Sequence, residues 1–247
     1  MPNLKVITID FWNTLFDSQD GAIRNDRRLK VLFDTLRDLG INLDMNKLNK
    51  VIQNSWEYYS QIWENDFRTP SAKEILEYIW NKMHFNNNLM AIDYLADFFE
   101  KSILYFPPNL LPGAEEILKN LSKKYELAIV SDTGFSPGSV MRELMQSSGI
   151  LKYFSDFSFS NETGVSKPHP RAFNIILDNF DCKPEFALHI GDIERTDIEG
   201  AVGIGMQAIR FDGDPTSPLA KAKTLSSKAN FIAKSWQDVY TYIEQTY

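Results

Sequence analysis

Two aspartates and a serine each close a short apolar run in this chain. Asp10 ends Val6-Ile7-Thr8-Ile9, Ser131 ends Leu127-Ala128-Ile129-Val130, and Asp192 follows Ala187-Leu188-His189-Ile190-Gly191. A carboxylate in such a place can attack covalently, exchange a proton or ligate a hard cation. A hydroxyl there can hold an anion. Two further charged residues stand near in sequence: Asp197 after Asp192, and Lys167 in Ser166-Lys167-Pro168-His169-Pro170.

The elements around these residues say how they could meet. The runs 6–9, 127–130 and 187–190 are apolar and β-branched, and read as buried strands; 157–159, 206–209 and 231–232 are further candidates. Helical patterns lie between them. Residues 113–125 carry Ala114, Ile117, Leu118 and Leu121 on one face, 170–180 carry Phe173, Ile176, Leu177 and Phe180, and 197–203 reads as another helix. Strands alternating with helices predict an α/β fold with a parallel sheet covered on both faces. Such sheets bind ligands beyond the carboxyl ends of their strands, where Asp10, Ser131 and Asp192 all fall.

Residues 18–106 have another texture. Leu29, Leu32, Phe33, Leu36 and Leu39, then Leu48, Val51, Ile52, Tyr59, Ile62 and Trp63, follow a helical period. Ser71 and Glu74 have capping-box spacing before Ile75, Leu76, Ile79 and Trp80. The reading is an all-helical insertion of about four helices, bounded by Asp17-Ser18 and by Pro107-Pro108 and Pro112-Gly113. The expected division is a catalytic core of 1–17 and 107–247 with a helical cap of 18–106. Trp56, Tyr59, Trp63 and Trp80 are expected to form the cap's own core.

Set in order, Asp10-Phe11-Trp12-Asn13-Thr14-Leu15, Ser131-Asp132-Thr133-Gly134, Ser166-Lys167-Pro168 and Gly191-Asp192 with Asp197 look like the four motifs of the haloacid dehalogenase (HAD) superfamily. The segments Leu111-Pro112-Gly113-Ala114 and Asp197-Ile198-Glu199-Gly200-Ala201 are also similar to family members. The resemblance spans the chain and implies a Rossmann-like core with the insertion as a first-type cap. It implies a hydrolase in which Asp10 is the covalent nucleophile, Lys167 neutralises Asp10 and the transferring group, and Ser131 holds phosphoryl oxygens. Trp12, Asn13, Thr14, Asp132 and Thr133 would contact substrate. Mg²⁺ would be held by Asp10, Asp192 and the backbone carbonyl of Trp12, with Asp197 a ligand or a support. A hard cation would offset the repulsion between two carboxylates and a phosphate.

One residue departs from the family pattern. Most HAD phosphatases carry a second aspartate two residues after the nucleophile, where this chain has Trp12. That aspartate protonates the leaving group and activates water, help worth about 10²–10⁴-fold. Glu194 is a candidate replacement. Three readings follow. The first is a Mg²⁺-dependent phosphatase of a small phosphorylated metabolite. The second is a 2-haloacid dehalogenase-like hydrolase, since those enzymes carry tyrosine at the Trp12 position, though they lack the Gly191-Asp192 form of motif four. The third is a binding or regulatory protein on an impaired frame.

Bulk properties narrow the partners. The 247 residues are 43% hydrophobic and 24% charged, the balance of a globular protein, with a net charge of −7. No basic cluster offsets that charge, so neither nucleic acid nor an acidic membrane is an expected partner, and a small molecule is. No apolar run approaches membrane-spanning length. The opening residues lack the parts of a secretory signal, and Cys182 is the single cysteine, so a reducing cytoplasm is the expected setting. His169 reads as a helix-entry residue and His189 as a satisfied core histidine.

Overall fold

The computed structural model describes residues 3–218 and 226–247. Six strands form one sheet: β1 (Val6–Ile9), β2 (Glu126–Ser131), β3 (Asp156–Phe159), β4 (Ala187–Gly191), β5 (Gln207–Phe211) and β6 (Phe231–Ala233). Their order is β3-β2-β1-β4-β5-β6 and every pairing is parallel. The chain builds outward from β1 to β3, then returns to place β4 on the other side of β1. Ligands bind at such a switch point, and the register Ile9↔Ile129 and Ile9↔Ile190 brings the ends of β2, β1 and β4 level there.

Strand period two divides the core. Ile7, Ile9, Leu127 and Ile129 pack with Ile117, Leu118, Met141, Leu144, Val239 and Ile243. These come from α5 (Ala114–Leu121), α6 (Gly138–Ser147) and α10 (Trp236–Thr246). Val6, Ala128 and Val130 pack on the other face with Phe173, Ile176 and Ala201. Those belong to α8 (Pro170–Asn179) and α9 (Glu199–Gly203), with the single turn α7 (Ser160–Thr163) preceding them. Each of the Val, Leu, Ile, Phe and Met side chains contributes about 1.5–3 kcal/mol on burial. An exposed pair such as Arg37–Asp34 contributes about 0–1 kcal/mol, so the two apolar layers hold the sheet. Among the described residues no helix is long and apolar enough to cross a membrane.

A helical region is inserted after β1: α1 (Gly21–Asp38), α2 (Met45–Asn65), α3 (Ala72–Met83) and α4 (Leu89–Tyr105). It has its own apolar cluster, with Leu32, Leu36, Leu48, Ile75, Leu76, Trp80 and Leu95 buried. Asp44, Ser71 and Asn88 cap α2, α3 and α4, each accepting a backbone N–H at 3.0–3.1 Å. Glu74 does not complete the expected capping box: its carboxylate is held bidentately by Arg68 at 2.8 Å. Two of the four aromatics assigned to the cap's core lie elsewhere. Trp56 is 43% exposed, and the Trp63 indole reaches the α/β core, donating to Asp132 Oδ2 at 2.8 Å. Helical spacing alone could not tell a stripe facing the cap interior from one facing the neighbouring core.

Candidate active site

Asp10 is the first residue past β1, and its backbone N–H extends the sheet to Ile190 O at 2.8 Å. Its carboxylate is buried against Lys167, whose Nζ lies 2.5 Å from Asp10 Oδ1 and 2.6 Å from Asp197 Oδ1. Asp197 is delivered by a π-helical turn, Glu194–Ile198, and its second oxygen accepts from the Ile193 N–H at 2.9 Å and the Thr196 hydroxyl at 3.3 Å. Gly191 permits this approach: a Cβ there would sit 2.3 Å from Asp197 Cγ. Asp192 completes the group, and one oxygen each of Asp10, Asp192 and Asp197 lie within 4.8 Å of one another.

His189, on β4, supports Asp197 from below the sheet ends. Its Nε2 is 3.0 Å from Asp197 Oδ1 and its Nδ1 is 2.8 Å from Thr8 Oγ1. Burial holds His189 below its ordinary pKa, hence neutral. With Asp197 ionised, Nε2 carries the proton and donates, and Nδ1 accepts from Thr8. The expected core histidine is therefore also a neighbour of the site.

Charge in this buried cluster is uneven. Burial, reinforced by Asp197 and opposed by Lys167, pushes Asp10 up to about 7. Burial would raise Asp197 too, but Lys167 and His189 outweigh it and hold it well below the carboxylate range. Lys167 resists its own desolvation because Asp10, Asp197 and Asp132 surround it, and it stays firmly protonated. Asp10, Asp192 and Asp197 thus gather three carboxyl groups, with Lys167 bonded to two of them, and line the site with hard oxygen donors. That donor set fits Mg²⁺.

We expect Asp197→Asn to cost about 1.5–3 kcal/mol, the worth of hydrogen bonds to a charged partner, because the amide cannot accept at once from Lys167, His189, Ile193 and Thr196. Urea unfolding measures it; a loss under 0.5 kcal/mol would show that the Asp197 charge does not hold this cluster.

A cavity of about 230 Å³ opens over the group. Of the residues expected from the sequence, Asp10, Trp12, Asn13, Asp132, Lys167, Asp192 and Asp197 line it. Ser131, Thr14 and Thr133 do not. Among the described residues the buried Ser131 and Thr14 hydroxyls have no hydrogen-bond partner, whereas Thr133 bonds Ser160 through its N–H at 3.0 Å. Asn13, at φ 57°, turns the chain after β1. Asp132 accepts from Trp63 and from the Lys167 N–H at 2.9 Å, and burial raises its pKa. Glu194 is outside the cavity: its carboxylate takes Ser227 Oγ at 2.6 Å, the Lys228 N–H at 2.7 Å and Arg210 at 3.3 Å. It is not placed to replace the missing aspartate. Sequence reading missed Tyr59, Trp63, Gly134, Ile193 and Thr196 as lining residues. His169 is the N-cap of α8, accepting from Arg171 N, as expected.

A switch-point carboxylate cluster on a parallel sheet, covered by inserted helices, defines a class of α/β hydrolases. The chain belongs to the haloacid dehalogenase-like hydrolases, whose sequence profile matches residues 4–205. It is 29% identical over 204 residues to the glyceraldehyde 3-phosphate phosphatase of Pyrococcus furiosus, covering 75% of this chain and 81% of that protein. It is 33% identical over 118 residues to the phosphoserine phosphatase of Thermus thermophilus, 48% of this chain and 46% of that one. In fold it is similar to a 2-haloacid dehalogenase from Pseudomonas syringae pv. Tomato, with TM-score 0.70 at 17% identity over 98% of this chain and 99% of that one. It is similar also to the HAD-hydrolase YfnB of Bacillus subtilis bound to magnesium, with TM-score 0.61 at 17% identity over 98% and 99%.

Proposed function

We propose that this hydrolase is a Mg²⁺-dependent phosphatase of a small phosphorylated metabolite, acting through an aspartyl-phosphate on Asp10. The observation that carries the reading is the carboxylate of Asp192 beside Asp10 and Asp197: an added negative charge suits a cation and a phosphoryl group, and disfavours a bare organic carboxylate. The phosphatase relatives and the magnesium-bound neighbour support it.

Asp10 and Asp192, with the backbone carbonyl of Trp12, would hold the ion, which would draw charge from the phosphoryl oxygens and lower Asp10 to its ionised form. Asp197 serves better as the holder of Lys167, since both its oxygens already accept hydrogen bonds. Lys167 steers the Asp10 carboxylate and balances charge on the transferring group. An Asp10 oxygen attacks phosphorus, the ester P–O bond breaks, and the alkoxide leaves and takes a proton from water. Water then attacks phosphorus, releasing phosphate and restoring Asp10. Asn13 and Asp132, from the loops after β1 and β2, line the cavity over Asp10 and would shape the phosphoryl site. Without an acid at position 12, good leaving groups are favoured.

Phosphate release from aryl phosphates with and without Mg²⁺ tests the reading, alongside a panel of phosphonates and 2-haloacids. Mg²⁺-dependent turnover of the phosphoesters alone is expected. Halide release without phosphate release would install the dehalogenase reading, which the aromatic Trp12 beside the cavity favours. Calorimetry should detect Mg²⁺ binding that Asp192→Asn weakens at least about tenfold; equal affinity would remove the metal assignment.

Residues 18–106 act in this reading as a cap over a core of 1–17 and 107–247, closing to exclude water. The Trp63–Asp132 bond is one latch, worth about 1.5–3 kcal/mol at most. Trp63→Phe should raise KM for an aryl phosphate several-fold with a smaller change in kcat. An unchanged KM would show that this bond does not latch the cap.

A further inference from the structure

A second cavity, of about 370 Å³, adjoins the catalytic one and shares Trp12, Tyr59 and Gly134 with it. Its character is opposite. Among the described residues no acidic one lines it, whereas Arg24 and Arg28, one turn apart on α1, both do. Arg24 is only 5% exposed and Arg28 is half-buried. Their hydrogen bonds go to neutral oxygens. Arg24 Nη1 donates to Phe106 O at 3.1 Å; Arg28 donates to Phe99 O at 3.2 and 3.3 Å and to Asn25 Oδ1 at 3.0 Å. Among the described residues neither guanidinium forms an ion pair.

Aromatic faces fix the pair in place. Arg24 lies over Trp12 at 5.9 Å, and Arg28 over Phe135 at 4.9 Å. Burial lowers both from the usual arginine range; Arg28 falls to about 10, with Arg24's charge adding to the effect, while Asp20 and Asp17 partly relieve Arg24. Two such cations, one buried and one half-buried, repel each other, and an anion between them would complete the arrangement. The guanidinium fork suits a carboxylate or a phosphoryl group. A volume in this range accommodates part of a small ligand.

We propose that Arg24 and Arg28 bind a second anionic group of the substrate, a carboxylate or a second phosphoryl group, while the first phosphoryl group lies at Asp10. The proposal rests on the phosphatase reading and deepens it: the substrate is a doubly anionic phosphoester, and Trp12 stands where its two ends meet.

Calorimetry on the full chain with Mg²⁺ tests this with three non-hydrolysable probes: propylphosphonate, phosphonopropionate and propane bisphosphonate. One of the two doubly anionic probes should bind at least about tenfold more tightly than propylphosphonate, and which one does identifies the second anion. Arg28→Met and Arg24→Met should each remove most of that preference, and Arg28→Lys should keep part of it. Circular dichroism checks folding; if one methionine variant unfolds, the other and the lysine variant carry the comparison. Equal affinity for the three probes, binding of none, or a preference that survives the arginine substitutions would overturn the anion site. Phosphate release from p-nitrophenyl phosphate by the same preparation is read separately. Its absence counts against the phosphatase reading, whatever the phosphonates show.

Discussion

Asp10→Asn should lower kcat on p-nitrophenyl phosphate by at least roughly 10⁴-fold while leaving the protein folded. The amide is nearly isosteric but cannot supply an anionic oxygen, so the covalent path closes; removal of a nucleophile elsewhere costs this order or more. Folding survives for a local reason. Lys167 keeps Asp197 at 2.6 Å as a charge partner, and one of several crowded carboxylates has lost its charge. Burial pushes Asp10 up to about 7 in the metal-free protein, so the charge removed is one the fold tolerates poorly. Thermal unfolding in chelator should show no large loss, and phosphate release should be at background. Retention of even one tenth of the activity would exclude Asp10 as nucleophile.

Trp12→Asp should raise activity, and most on substrates with poor leaving groups. An acid there would protonate the departing oxygen and then activate water, help worth about 10²–10⁴-fold. The surroundings trim the gain. Trp12 packs edge-on against Phe11 at 5.1 Å and lies under Arg24 at 5.9 Å. The guanidinium would draw the new carboxylate toward its ionised form, and the lost ring contact costs stability. A gain near the lower end, about 10²-fold on an alkyl phosphate and less on an aryl phosphate, is expected. Kinetics on the two esters, with folding checked by circular dichroism, measures it. A folded variant no better on alkyl than on aryl phosphates would reject this account of Trp12. A dehalogenase-like enzyme would instead lose 2-haloacid turnover without gaining phosphate release.

The core was legible because its signals are local. Val6–Ile9 and Ala187–Gly191 are short β-branched or apolar runs that end in the aspartates they position. Other features depend on contacts between distant segments. Nothing in the spacing of Arg24, Arg27 and Arg28 tells them apart, yet tertiary packing exposes Arg27 and buries Arg24. Trp63 and Tyr59 sit on an aromatic stripe whose partner, cap or core, no periodicity reveals. The sequence pattern places a helix over 197–203 and leaves Glu194 in a loop; the structure adds a π-helical turn at Glu194–Ile198, which brings Asp197 against Gly191. Glu194 looked available in a loop and is instead consumed by Ser227, Lys228 and Arg210.

The central claim is that phosphorus becomes covalently bound to Asp10. Rapid acid quenching of the protein during turnover of p-nitrophenyl phosphate with Mg²⁺, followed by peptide mass spectrometry, measures this directly. The account predicts a transient gain of one phosphoryl group on the peptide containing Asp10, absent in Asp10→Asn and absent in chelator. Turnover with no phosphoryl group on that peptide, or with one on a different residue, would contradict it.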